Sequence, residues 1–207
     1  MSNRRVAPRG ILFVISAPSG TGKSTLCREL IKAIPDLFYS ISLTTRIPRD
    51  GEKDGVDYHF VSREKFQQIV QENGFLECAE VFGNLYGTSK AHVEKALSSG
   101  KDVLMDVDVQ GAMKIAHHEN VVFIFLLPPS IRVLEERLLR RKTDNETQIR
   151  ERVANARHEI GHVGKYDYAI CNEELAESVQ LLKSIIWAER CKASRNQGHL
   201  EKLGFEV

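Results

Sequence analysis

The chain has 207 residues, 42% hydrophobic and 28% charged, and its 29 Lys and Arg nearly cancel 28 Asp and Glu to leave a net charge of +1. That length supports one substantial domain with a real core, and the balanced charge leaves no overall field to draw nucleic acid or an anionic membrane. Cys27, Cys78, Cys171 and Cys191 form no CxxC pair and have no His at zinc-ligand spacing, a pattern that fits reduced thiols in a cytoplasmic protein.

At the start, Arg4, Arg5 and Arg9 precede an apolar run at 11–15 in the manner of a signal peptide, but no small-residue cleavage site follows. The run is predicted to be a buried strand. Directly after it stand Ala17, Pro18, Ser19, Gly20, Thr21, Gly22, Lys23, Ser24 and Thr25, and then a helical pattern over 24–34. Strand, glycine-rich loop and helix in this order are the context of a phosphate-binding P-loop. Gly20 and Gly22 let backbone N–H groups turn inward around phosphate oxygens, and the helix N-terminus adds a favourable dipole. Lys23 would then reach the β and γ phosphates, and the Ser24 hydroxyl would ligate Mg2+. The pattern opens with Ala17 where glycine is usual, a change small in volume.

Between 39 and 88 the rhythm changes to short alternating segments at 39–44 and 58–61, with turn signals at Asp50-Gly51, Asp54-Gly55 and Gly83-Asn84. This predicts a small inserted β-rich unit with one helix near 63–73. Within it, Arg46 and Arg49 flank Pro48, which stiffens the segment. Two guanidinium groups so placed suit a phosphate dianion, and Tyr58 and Tyr86 would each add a phenolic hydroxyl.

Further along, apolar runs at 103–105, 121–127 and 168–171 read as strands apolar on both faces. The longest, 121–127, is far short of the roughly 18 residues that suggest a membrane span. Helical patterns at 109–117, 131–141, 147–161 and 175–192 alternate with them, which predicts an α/β domain with a parallel sheet. Asp106 and Asp108 alternate at the end of the 103–105 run, so both are expected to point to the same face, at the sheet edge where ligands of open α/β sheets bind. Both are candidates to organise a metal ion through water. The stretch 135–157 is rich in Arg and Glu. Arg137 and Arg141 share a helix face there, Arg152 lies on the next helical segment, and pairs such as Glu136 with Arg140 lace the solvent side.

Taken together, these motifs resemble the guanylate kinase family from about residue 11 to residue 187. The resemblance rests on residues 17–25, Ser40-Ile41-Ser42-Leu43-Thr44-Thr45-Arg46-Ile47-Pro48-Arg49, Gly55-Val56-Asp57-Tyr58-His59-Phe60-Val61, Phe75-Leu76-Glu77, Asn84-Leu85-Tyr86-Gly87-Thr88 and Asp106-Val107-Asp108-Val109-Gln110-Gly111. It implies a P-loop NTPase-type core at 1–38, 89–134 and 160–207, with a GMP-binding subdomain at 39–88 and a lid at 135–159. It also implies that Arg46, Arg49, Tyr58 and Tyr86 hold the GMP phosphate, that Ser42, Glu77 and Thr88 read guanine with Asp106 nearby, and that Arg137, Arg141 and Arg152 serve the ATP phosphates. Arg141 and Asn172 would lie near the adenine. Lys142 stands where the family usually has a small residue.

The implied reaction is phosphoryl transfer from MgATP to GMP, and to dGMP, with Lys23, Arg46, Arg137, Arg141 and Arg152 as the catalytic cations. A kinase for another small molecule, such as a sugar phosphate, would share the triphosphate site but have no use for Ser42, Glu77 and Thr88. Guanylate-kinase-like scaffold modules that bind phosphopeptides share the fold, but their P-loops are generally degraded, whereas Lys23 and Ser24 are in place here.

Overall fold

Alternation within the first apolar run sets the architecture, because Phe13 and Ile15 face one side of a sheet while Leu12 and Val14 face the other. The computed structural model describes residues 9–81, 83–115, 120–140, 146–202 and 204, with side chains at all of these except 198–200 and 202. Its strands are β1 (Leu12–Ser16), β2 (Leu37–Tyr39), β3 (Leu43–Thr44), β4 (His59–Phe60), β5 (Phe75–Val81), β6 (Asn84–Ser89), β7 (Asp102–Asp106), β8 (Val121–Leu127) and β9 (Tyr168–Cys171). Its α-helices are α1 (Lys23–Ala33), α2 (Arg63–Gln71), α3 (Lys90–Ser98), α4 (Val109–Ile115), α5 (Ile131–Arg140), α6 (Glu146–Ile160), α7 (Leu175–Arg190) and α8 (Ala193–Lys202).

Five strands in the order β2-β7-β1-β8-β9 form a wholly parallel sheet. On one face Phe13, Ile15, Leu104 and Ile124 meet Leu26 and Leu30 of α1 and Leu182 and Ile186 of α7. On the other, Leu12, Val14, Val103 and Met105 meet Val93 and Leu97 of α3 and Ala112 and Ile115 of α4. A central strand covered on both faces has no room for polar side chains along its length, so the chemistry collects at its carboxyl end. The second sheet, ordered β4-β3-β6-β5, carries α2, where Phe66 stacks on Phe75 of β5 at 4.4 Å between ring centroids. A third cluster, Leu134 and Leu138 of α5 with Ile149 and Ala156 of α6, joins the two arginine-bearing helices.

Three features differ from the sequence expectations. Tyr39 does not begin the inserted unit; it ends β2, an edge strand of the main sheet, because Leu37 is buried in the core and Tyr39 packs partly against it. The strand containing Asp106 stops there, so Asp108 is not on a shared strand face. Helices α3 and α8 fall where no element was expected, and the tail of the expected 109–117 helix, including His117, lies outside the described residues. Among the described residues no helix is long and apolar enough to cross a membrane.

The opposite end of the sheet is closed by buried acids. Asp102 accepts from the Ile11 amide at 2.8 Å and from Arg190 Nε at 2.6 Å. Burial works against the charge of Glu189, yet Lys192, the Tyr168 hydroxyl and Arg195 together hold its carboxyl below the ordinary glutamate range. Asp102→Ala strips both donors of their acceptor. Because Arg190 is partly exposed, the expected loss of stability is about 1–3 kcal/mol, read as a lower midpoint in thermal unfolding. An unchanged midpoint would show that water replaces the carboxylate without loss.

Candidate active site

The loop after β1 takes its shape from two glycines in the left-handed region, Gly20 (φ 96°) and Gly22 (φ 99°), where a side chain would be strained. Gly22 is the N-cap of α1 and has no side chain to offer, so the amides of the first helical turn have no side-chain cap. Lys23 Nζ donates to the Val107 carbonyl at 2.9 Å, beyond the end of β7. The Thr21 carbonyl receives two donors from separate parts of the chain, Asn172 Nδ2 at 2.7 Å and Arg137 Nη1 at 3.2 Å. Asn172 is buried, and its amide braces the loop; a Cβ at Gly22 would come within 2.9 Å of it.

The inserted sheet builds a second cationic site. Hydroxyls of consecutive threonines set the path of the chain into it: Thr44 Oγ1 donates to the Leu85 carbonyl at 3.0 Å and accepts from the Arg46 amide at 3.1 Å, while Thr45 Oγ1 accepts from the Leu85 amide at 2.9 Å. Arg46 Nη2 then donates to both carboxylate oxygens of Glu52, at 2.8 and 3.0 Å, and its Nε donates to the Tyr86 hydroxyl at 3.2 Å. The guanidinium also lies 5.4 Å from the centroid of the Tyr58 ring. The bond to Arg46, followed by the Arg49 amide, holds the Glu52 carboxyl below its ordinary range. The Arg49 residue itself is exposed. Arg28 of α1 meets Asp57 of the insert at 2.6 Å, an exposed pair that links the two sites.

Antiparallel pairing of β5 with β6 sets Glu77 opposite Thr88, and the Thr88 hydroxyl donates to Glu77 Oε1 at 2.7 Å. Both residues are buried, so Glu77 is no solvated acid at a strand end. Burial raises its carboxyl above the ordinary value, as does the nearby Asp108 charge; the Thr88 hydroxyl and Lys114 pull it back. Ser42, half-buried, lies just before β3, and its carbonyl accepts from the His59 amide at 2.9 Å.

Between the two sites lies Asp106. Its charge acts on Cys27 of α1, Tyr39 of β2 and Tyr58 of the insert, all of which burial has already pushed up, Tyr58 to about 12. Asp108 turns its carboxylate onto the first turn of α4, accepting from the Gly111 amide at 2.7 Å. Beside it, Glu159 of α6 is pushed up to about 7, first by burial and then by the Asp108 charge, against the pull of Lys23. A cleft of about 280 Å3 opens here among Glu80, Asp108, Gln110, Glu159 and His162.

The paired helices α5 and α6 lean on the P-loop. Arg152 Nη1 donates to Ser19 Oγ at 2.9 Å, Arg137 Nη2 donates to the Asn172 carbonyl at 3.4 Å, and Leu138 sits where a Cβ at Gly20 would approach to 3.1 Å. On the solvent face Glu136 pairs with Arg132 at 3.2 Å, one turn earlier than the expected Arg140. Arg141 and Lys142 lie outside the described residues.

A doubly covered parallel sheet with a P-loop at its central strand defines the class as a P-loop nucleotide-binding protein. A sequence model of the family "Guanylate kinase" matches residues 9–189. Curated guanylate kinases are similar over most of their length: that of Syntrophotalea carbinolica is 51% identical over 199 residues, covering 96% of this chain and 94% of that protein. The Clostridium perfringens strain 13 protein is 46% identical, covering 93% and 89%, and the Thermotoga maritima protein 42%, covering 96% and 97%. The crystal structure of guanylate kinase from Anaplasma phagocytophilum superposes with a TM-score of 0.80 at 34% identity, covering 97% of this chain and 99% of that one. The chain belongs to the guanylate kinase family.

Three residues of the site were not singled out from sequence. Glu52 closes a turn with Arg49, its amide donating to the Arg49 carbonyl at 3.0 Å, and the Asp50-Gly51 turn signal marks that fold-back. Glu159 and Tyr39 reach the site only through tertiary packing. Glu52→Gln keeps the shape but removes the charge that orients Arg46. The Michaelis constant for the acceptor nucleotide is expected to rise by roughly tenfold, about 1.4 kcal/mol, while that for ATP stays within a factor of about two. Equal changes in both constants would assign Glu52 to general stability.

Proposed function

We infer that the chain transfers the γ-phosphoryl group of ATP to GMP, giving ADP and GDP, in the supply and recycling of guanine nucleotides. The observation that carries this is a pair of cation-lined anion sites, at Gly22–Lys23 and at Arg46–Tyr86, with Asp106 between them and the buried Glu77–Thr88 pair in the sheet beside the second. The inserted sheet, from about residue 40 to residue 88, then serves as the GMP-binding subdomain, and residues 135–159 as the lid.

Guanine offers a ring N–H and an exocyclic amine, which one carboxylate can accept together. With Thr88 already bonded to one oxygen of Glu77, the carboxylate is held in place to do so. Adenine would bring an acceptor in place of the ring donor and no amine at C2 beside it, leaving polar groups unpaired at about 1–3 kcal/mol each. dGMP, whose base and phosphate are the same, is a second acceptor. The phosphate of GMP falls to Arg46, Arg49, Tyr58 and Tyr86, with Glu52 holding Arg46 Nη2 and so aiming the guanidinium.

The acceptor is already an anion, so it needs little help from a base, and catalysis is positioning with charge neutralisation. Lys23, Arg137 and Arg152 turn from their resting acceptors to the ATP phosphates, and the lid excludes water that would compete as acceptor. The oxygen donors present fit Mg2+: the Ser24 hydroxyl at the start of α1, and Asp106 and Asp108 within reach through water. Among the described residues no group of three or more His, Cys, Asp or Glu forms a cage, in keeping with an ion whose remaining ligands are phosphate and water. When bound, Mg2+ would neutralise charge on the ATP phosphates. ATP, GMP and unpaired thiols all belong to the cytoplasm, the compartment this activity implies.

The test supplies ATP and Mg2+ with GMP, dGMP, AMP, CMP, UMP or ribose phosphate and measures ADP release. Turnover is expected with GMP and dGMP; strong turnover with AMP but not GMP would overturn the assignment. In the same assay Glu77→Gln, which turns one acceptor into a donor, should raise the Michaelis constant for GMP by roughly 10- to 100-fold with little change for ATP. Lys23→Ala should abolish transfer while GMP still binds in calorimetry, and a variant that retains turnover would remove Lys23 from the mechanism.

A further inference from the structure

Glu77 is fixed on one side by Thr88, and its other oxygen faces the first turn of α4. A Cβ built on Gly111 would lie 2.8 Å from Glu77 Oε2, and 3.3 Å from both Glu77 Cδ and Asp108 Oδ1. The helix's own backbone aside, the three atoms nearest that added carbon belong to these two carboxylate side chains. The backbone of Gly111 is helical and carries no positive φ, so glycine is not needed there for conformation. Helix propensity favours alanine. What glycine supplies is space for the carboxylate.

The wall itself is fixed. Val109, Ala112 and Ile115 of α4 are buried in the core, the Gly111 amide is bonded to Asp108, and one turn on Lys114 Nζ donates to the Cys78 carbonyl beside Glu77. A methyl group at 111 therefore displaces the tip of Glu77 and leaves the helix where it is. Such a shift is cheap for the fold, since only the end of one side chain moves, and damaging for recognition, since the carboxylate must meet two donors at hydrogen-bond distance.

We propose that Gly111 is a positioning residue for guanine recognition: its bare α-carbon is the surface against which Glu77 Oε2 is seated, and any side chain there turns the carboxylate from the base. This rests on GMP being the acceptor. The test compares the native chain with Gly111→Ala, using GMP and IMP, which lacks the exocyclic amine. Gly111→Ala is expected to raise the Michaelis constant for GMP by roughly tenfold or more, to leave that for ATP within about twofold, and to lower the GMP-to-IMP ratio of kcat/KM at least about fivefold. In a Glu77→Gln background the same substitution should lower the ratio no further, because the two act through one group.

An unchanged ratio in Gly111→Ala, or an equal loss with and without Glu77→Gln, would overturn the proposal. So would failure of Gly111→Ala to fold, since the methyl would then be striking more than the end of a side chain. If the native chain prefers GMP and Gly111→Ala keeps that preference, only the role of Gly111 falls. A native chain that does not use GMP overturns both this and the acceptor assignment.

Discussion

Cations gathered to grip phosphate repel one another until the phosphate arrives, and the arrangement around the carboxyl end of the sheet is organised by that repulsion. Lys23, Arg46, Arg137 and Arg152 come from four separate segments, and each has an oxygen partner inside the protein: a carbonyl beyond β7, the Glu52 carboxylate, the Thr21 carbonyl and the Ser19 hydroxyl. At the spacing of a nucleotide, unscreened like charges would disfavour the folded state by several kcal/mol in a partly dry cleft (~332/εr with an effective dielectric near 20). The near-neutral chain thus contains a polarised site, in which Glu52, Asp106 and Asp108 offset the basic groups.

The second sheet contributes through register. Pairing β5 with β6 in antiparallel sense brings Glu77 against Thr88, and the pairing of β3 with β6 puts Thr44 beside Tyr86, near the start of the Arg46 segment. The Glu77–Thr88 pair and the Arg46 segment are thereby displaced along one small sheet, whose connection to the parallel core runs through short segments and through the exposed Arg28–Asp57 pair. Exposed pairs contribute little and are screened by salt. The insert is therefore joined to α1 by a contact that breaks easily, while its contact with α4 is packed.

What could be read in advance follows the range of each interaction. The P-loop was legible because strand, glycines, lysine and helix are contiguous, and their meaning is local. The parallel core was legible because strands covered on both faces leave unbroken apolar runs. β2 was not, since three residues, Leu37, Phe38 and Tyr39, run on without a turn signal into a segment that alternates. Asp108 was misplaced because two acids at alternate positions look alike on a strand and at a helix cap; only the chain bend after Asp106 separates them. The arginines of the insert were visible as residue types, but their partner Glu52 requires knowing how a turn folds back. Asn172, expected near the adenine on resemblance, spends its amide on a carbonyl that no sequence pattern marks. Space is less visible still: nothing in the letters tells a glycine needed for left-handed backbone, such as Gly22, from one that makes room, such as Gly111.

The acceptors of Lys23 and Arg137 are main-chain carbonyls, of Val107 and Thr21. Every amino acid possesses that atom. Replacing the side chain at 107 or 21 can alter the packing around these contacts but cannot delete the acceptor, so the resting position of two of the site's cations is encoded in the path of the backbone and is insensitive to which residues lie along it. Arg152 and Arg46 differ in part, because Ser19 and Glu52 hold them through side chains that a single codon change can remove, although Arg46 Nη1 also donates to the Ile47 carbonyl at 2.9 Å. Cations held by main-chain carbonyls are therefore buffered against genetic drift in a way that those held by side chains are not.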